Sequence, residues 1–152
     1  MSVDLYLGLP AANWPSAEQV QRCMIAHNYP IHVERFPQFE ATKIVNDGAL
    51  VILDGTKETY LEGEIISGTT DRSTVTDLNE QLKASGLRVS QSDAIMSMRT
   101  RSSGEMRAAS YVIAGLIVCF EGFGFETQGN IGGRKEFAGL LVEGAEMLKG
   151  HE

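Results

Sequence analysis

The chain has 152 residues, 43% of them hydrophobic and 22% charged. That length and balance suit one globular domain and exclude a disordered or fibrous chain. Acidic residues outnumber basic ones, 20 against 13, for a net charge of -7. This argues against nucleic acid, whose binders need a basic face to neutralise phosphates, and favours a basic partner.

The first element is a strand over residues 3–9, where Val3, Leu5 and Leu7 share one face and Pro10 ends the run. Trp14-Pro15-Ser16 is a turn with Ser16 as the N-cap of a helix reaching His27. Asn28-Tyr29-Pro30 stops that helix, and residues 31–36 predict a second strand. Asn46-Asp47-Gly48 and Asp54-Gly55 are turn signals on either side of an apolar strand at 49–53. A further strand is expected over 59–66. A Gly/Ser/Thr-rich stretch then leads to a helix over about 74–85, closed by Gly86. Residues 94–101 predict a strand with Met96 and Met98 inward and Arg99 and Arg101 outward. The longest helix follows, from Ser103 to about Glu121, apolar around most of its circumference and therefore buried on more than one side. Its most apolar stretch, 111–120, is too short to span a bilayer. Residues 123–125 suggest a short strand, 127–133 a glycine-rich loop, and 134–149 a closing helix, with a short tail at 149–152. The whole reads as a single α+β domain, 1–152, with a largely antiparallel sheet of five to six strands and four helices mostly on one face.

The sharpest chemical feature lies in the strand at 59–66. Period-two alternation puts Glu58, Tyr60, Glu62 and Glu64 on one face, a row of carboxylates around one aromatic ring. Such a face can hold Arg or Lys side chains of a partner, with Tyr60 as anchor. It is equally a solvated sheet face, and it could supply a carboxylate pair for acid–base chemistry. Trp14 is either packed over the first helix or a second exposed anchor. The expected partner-binding set is Glu58, Tyr60, Glu62, Glu64 and Trp14.

Other candidates are weaker. Gly129-Asn130-Ile131-Gly132-Gly133-Arg134 precedes a helix and could cradle an anion, but it lacks a phosphate-loop spacing. Arg99, Arg101 and Arg107 form a basic group expected to pair with the chain's own acids, with an anion site as the second reading. His27 and His32 lack a nucleophile in a known setting. Cys23 and Cys119 lie in apolar helical patterns and are expected as free, buried hydrophobes. Two distant cysteines and scattered histidines do not make a zinc site by spacing. No catalytic residue, metal or cofactor is assigned. The N-terminus lacks a basic start followed by an apolar run, so cytoplasmic residence is the default expectation.

Several segments together resemble small bacterial immunity proteins encoded beside secreted polymorphic toxins. They are Val3-Asp4-Leu5-Tyr6-Leu7, Trp14-Pro15-Ser16, and Asp54-Gly55 ahead of Tyr60-Leu61-Glu62-Gly63-Glu64. Met98-Arg99-Thr100-Arg101-Ser102 before an Ala-rich helix, and Gly122-Phe123-Gly124-Phe125-Glu126 before Gln128-Gly129, complete the pattern. The resemblance is one of pattern along most of the chain, and Glu126 stands where Asp is usual. It implies a non-enzymatic inhibitor whose partner is a basic toxin domain, with a homodimer also open and neither nucleic acid nor membrane involved. The rival readings are a small enzyme using the sheet-face carboxylates or the glycine-rich loop, and a structural or regulatory subunit.

Overall fold

Strict alternation in the first strand sets up the architecture, because it feeds two different cores. In the computed structural model, which describes residues 2–151, strand β1 spans Val3–Pro10. Its Leu5, Leu7 and Leu9 point into the main core, while Tyr6 packs against a smaller second core on the opposite face. Burying each such leucine stabilises the fold by roughly 1.5–3 kcal/mol.

The remaining elements follow in chain order. Helix α1 (Ala17–Ala26) is opened by a capping box, in which Ser16 Oγ accepts from the Gln19 backbone and the Gln19 side chain accepts from Ser16 N–H. Strands β2 (Ile31–Arg35), β3 (Ala49–Leu53), β4 (Lys57–Leu61) and β5 (Gly63–Ser67) come next. Helix α2 (Arg72–Leu82) runs into a 3-10 turn ended by Gly86 at φ 70°. Strand β6 (Asp93–Thr100), helix α3 (Ser103–Phe120), strands β7 (Phe123–Glu126) and β8 (Ile131–Gly133), and helix α4 (Lys135–Met147) complete the order. The expected tail ends at Glu152, outside the described residues.

The α+β class and the antiparallel pairing of the sequence reading hold. The single sheet does not. The strands form two sheets, one of five in the order β5-β6-β1-β7-β8 and one of three in the order β2-β3-β4. The strand expected at 59–66 breaks at Glu62, where the chain leaves the small sheet and joins the large one. Gly63 makes the crossing possible: a Cβ there would lie 1.9 Å from the Ser97 carbonyl oxygen.

Helices α1, α3 and α4 contribute to the main core, but α2 does not join them. Its Leu78 and Leu82 pack with Ile66, Ile95 and Phe125 on the other face of the large sheet. The expectation of helices mostly on one face therefore holds for three of the four.

Helix α3 has the length and hydropathy of a membrane span, yet 61% of it is buried inside the fold, as an all-round apolar core helix should be. Within it lies a charge that the pattern did not place there. Arg107 is fully buried, its guanidinium donating to Asp54 Oδ2 at 2.6 Å and to the Ala145 carbonyl at 3.1 Å. Asp54 belongs to the β3–β4 turn and, with Gly55, takes left-handed φ values of 56° and 78°, a conformation that Asp and Gly tolerate best.

The cysteines overturn the expectation of free thiols. Cys23 and Cys119 form a disulfide that joins α1 to α3 across 96 residues of sequence, with Cα atoms 6.3 Å apart. Helix packing, which sequence spacing does not encode, brings them together.

Two stability predictions follow from these ties. Asp54→Asn keeps the turn geometry but removes the Asp54 carboxylate from the buried guanidinium. It should lower unfolding stability by about 2–3 kcal/mol, below the usual cost of breaking a buried pair because Asn still accepts a hydrogen bond. The check is a urea midpoint that falls with unchanged slope. Replacing both cysteines by Ser should cost about 3–5 kcal/mol, since the bond closes a loop of nearly a hundred residues. Calorimetry under non-reducing conditions measures it.

Candidate functional site

Where the two sheets diverge they leave a groove of about 910 Å³. One wall is β4, which brings Glu58 and Tyr60; the far wall is the uncovered end of β1 and β6, with Asp4, Tyr6, Ser97 and Arg99. The crossing at Glu62–Glu64 forms its base, and the N-terminus of α3, with Ser102 and Glu105, closes one end. The groove is open because the α2 core covers only part of that sheet face, and Tyr6 marks the boundary by touching both.

The expected residues Glu58, Tyr60, Glu62 and Glu64 do converge here, though the strand carrying them is interrupted. Alternation survives the break because Leu61 and Ile65, on the opposite side, are both fully buried in the main core. Burial of those two side chains turns the acidic set outward.

The carboxylates differ in how they are engaged. Glu62 forms an ion pair with Arg101 across the groove base. That pair holds the Glu62 carboxyl below its ordinary value, the Arg101 hydrogen bond being the main cause and its charge the next. Asp4 meets Arg99 at 3.4 Å. Glu105 accepts from the Arg101 backbone N–H at 2.9 Å, while its own N–H donates to the Ser102 hydroxyl, which caps α3 and satisfies its first turn. Among the described residues, no hydrogen bond or ion pair engages the side chains of Glu58 and Glu64. Burial, followed by the charges of Asp4 and Glu64, raises the pKa of the Tyr6 phenol, so it stays neutral.

Tyr60 is the exposed aromatic of the groove, at 44% accessibility. Its hydroxyl accepts from the Gly48 N–H at 2.9 Å and donates to Asp47 at 3.2 Å. The Arg35 guanidinium lies over the ring at 5.9 Å and pairs with Asp47 at 3.3 Å. The ring is thus held in place by the chain itself, the kind of preorganisation that lowers the ordering cost of binding.

Trp14 does not belong to the site. Its indole stacks on Phe36 at 5.7 Å and donates to the Pro37 carbonyl at 2.9 Å, so it anchors the segment after β2. The glycine-rich loop is likewise spent internally, as the β7–β8 hairpin in which Phe125 pairs with Gly132. The three arginines pair with the chain's own acids as expected: Arg99 with Asp4, Arg101 with Glu62, Arg107 with Asp54. The reading of spacing missed a further cluster, Cys23, His27 and Cys119, whose potential ligand atoms all lie within 4.8 Å of one another. The i, i+4 spacing of Cys23 and His27 on one helix was the available signal.

The Glu62–Arg101 pair gives a testable pH dependence. A carboxyl whose folded pKa is depressed contributes stability above its ordinary value of 4.5 and loses it as pH falls through the lower folded value. In an NMR titration the Glu62 side chain should titrate below 4.5, and Arg101→Gln should return it to the ordinary range. No family model, curated protein or solved structure matches the chain.

Proposed function

We propose that the chain is a binding protein that receives a basic segment of another protein in the acidic groove, and that it serves as an immunity protein neutralising a cognate bacterial toxin. The observation that carries this reading is the pairing of a pre-fixed aromatic, Tyr60, with two uncommitted carboxylates, Glu58 and Glu64, in one open groove. Arg or Lys side chains of a partner could meet those carboxylates and stack on the ring. Glu62 and Asp4 are already paired and shape the groove more than they attract.

The same chemistry argues for docking over catalysis. A general acid needs a carboxyl raised toward neutral pH, and Glu62 is shifted the other way. The groove lining includes no histidine or cysteine among the described residues. Charge complementarity of this kind chiefly accelerates encounter and excludes wrong partners. A basic toxin domain is the partner that fits, and the likeness of pattern to immunity proteins points the same way.

The test is capture from the native host with the parent chain and with the Glu58→Lys/Glu64→Lys variant. The parent should retain a basic toxin domain whose toxicity it suppresses on co-expression. The double reversal should weaken that complex by more than about tenfold, and raising salt should weaken the parent complex toward the same level. A variant that holds and neutralises the toxin as tightly as the parent would remove the groove as the docking site.

A further inference from the structure

Away from the groove, the contact between α1 and α3 gathers a second set of reactive groups. Cys23 lies in α1 and His27, one helical turn on, is its C-cap, whose backbone N–H donates to the Cys23 carbonyl at 3.2 Å and fixes that spacing. Residues four apart project from the same helix face, as in paired metal ligands on helices. Cys119, near the C-terminus of α3, meets them from the other side. Gly115 of α3 leaves room for the approach: a Cβ there would lie 2.3 Å from Met24 Cε and 3.2 Å from Cys23 Sγ.

We infer that Cys23, Cys119 and His27 form a redox-gated site for a thiophilic divalent cation of the zinc class, closed as a disulfide when oxidised and able to take the metal when reduced. Donor types and distances both suit it. Around a tetrahedral zinc, two thiolates stand about 3.8 Å apart and a thiolate and imidazole about 3.6 Å. The three ligand atoms already lie within 4.8 Å of one another, so rotation of the two cysteine side chains after reduction suffices. The imidazole is oriented in advance. His27 stacks on Tyr29 at 5.4 Å, and Tyr29 packs on the core residue Tyr111 at 5.3 Å.

Charge supplies a further reason. Cys23 is only 4% exposed, and a thiolate buried in apolar surroundings is costly. Two thiolates, a neutral imidazole and a divalent cation sum to zero, so the metal removes the penalty. Three protein ligands leave a fourth position for water or an added ligand.

The chemistry balances as a thiol–disulfide exchange. A dithiol reductant passes two electrons to the S–S bond, giving two protein thiols and the oxidised reductant. Both thiols release their protons as the cation binds. In the reverse direction a low-molecular-weight disulfide accepts two electrons and two protons, becomes two thiols, and the re-formed Cys23–Cys119 bond expels the metal. In a reducing compartment, where structural disulfides do not persist, the metal-binding form is the relevant one. This site shares no residue with the groove and stands independently of the proposed function.

The experiment uses the full chain, reduced with a phosphine and titrated with Co²⁺ alone, followed by thiolate-to-cobalt charge-transfer absorption, with circular dichroism to report the fold. The expected result is one cobalt per chain, displaced by Zn²⁺, and no band in the oxidised protein. His27→Ala, which leaves the disulfide intact, should weaken binding after reduction by at least the roughly tenfold that loss of even an outer ligand-orienting partner costs. Absence of the band after full reduction, loss of the fold on reduction, or equal affinity in His27→Ala would each overturn the inference.

Discussion

The buried contact between Arg107 and Asp54 holds the two halves of the molecule in register. The guanidinium rises from the middle of the core, reaches the β3–β4 turn through Asp54, and donates to the backbone of α4 at Ala145. Three elements distant in sequence therefore meet on one planar group. Guanidinium suits this role because its donors form a rigid fork and its charge persists at any relevant pH. Burying a charge is expensive, and an apolar core of the same volume would often be as stable. What the pair adds is direction: hydrophobic burial alone would let the three-stranded sheet slide over α3, whereas a hydrogen-bonded fork selects one placement.

That placement creates the groove. Strand β4 forms one wall, and its position relative to β1 and β6 follows from how the small sheet rests on α3. Gly63 then takes the chain from one sheet to the other within the thickness of a single backbone, with the Ser97 carbonyl against its Cα hydrogens. Leu61 before the crossing and Ile65 after it are both drawn into the main core. The acidic side chains between and beside them have nowhere to go but outward. The concentration of negative charge is thus a by-product of apolar burial on the reverse side, and its containment by Arg99 and Arg101 keeps like charges from destabilising the crossing.

How far the sequence carried follows from the range of the physics involved. Ser16, Gly86 and the alternation of β1 and β6 announced their elements, because capping and period-two burial act over a few residues. The outward set Glu58, Tyr60, Glu62 and Glu64 was legible for the same reason, even though the strand beneath it proved to be two. The split into two sheets was not legible, since a glycine that permits a close crossing looks like any glycine until its neighbour is known. That Arg107 pairs with an acid of the chain was legible, but its burial and its partner were not, because Asp54 lies 53 residues away. Cys23 and Cys119 read as separate hydrophobes because the α1–α3 contact is tertiary. Trp14 offered two readings, and only the position of Phe36 and Pro37 chooses between them.

Helix α3 connects the two chemically distinct regions. Its capped N-terminus opens into the groove and its last turn carries Cys119, so about 25 Å of helix separates them at 1.5 Å per residue. Buried over most of its surface, the helix can shift only as a packed rod, in discrete steps set by its neighbours. Exchange of the disulfide for a neutral metal–thiolate cluster leaves the local net charge unchanged, so no change in net charge acts on the groove from that end. Any influence of the α1–α3 junction on the groove must travel mechanically, through the seating of α3 against the Arg107 fork. The fork is bonded to β-turn and helix backbone alike, and it opposes such movement. The molecule is therefore built to keep the groove constant whichever state the cysteines are in.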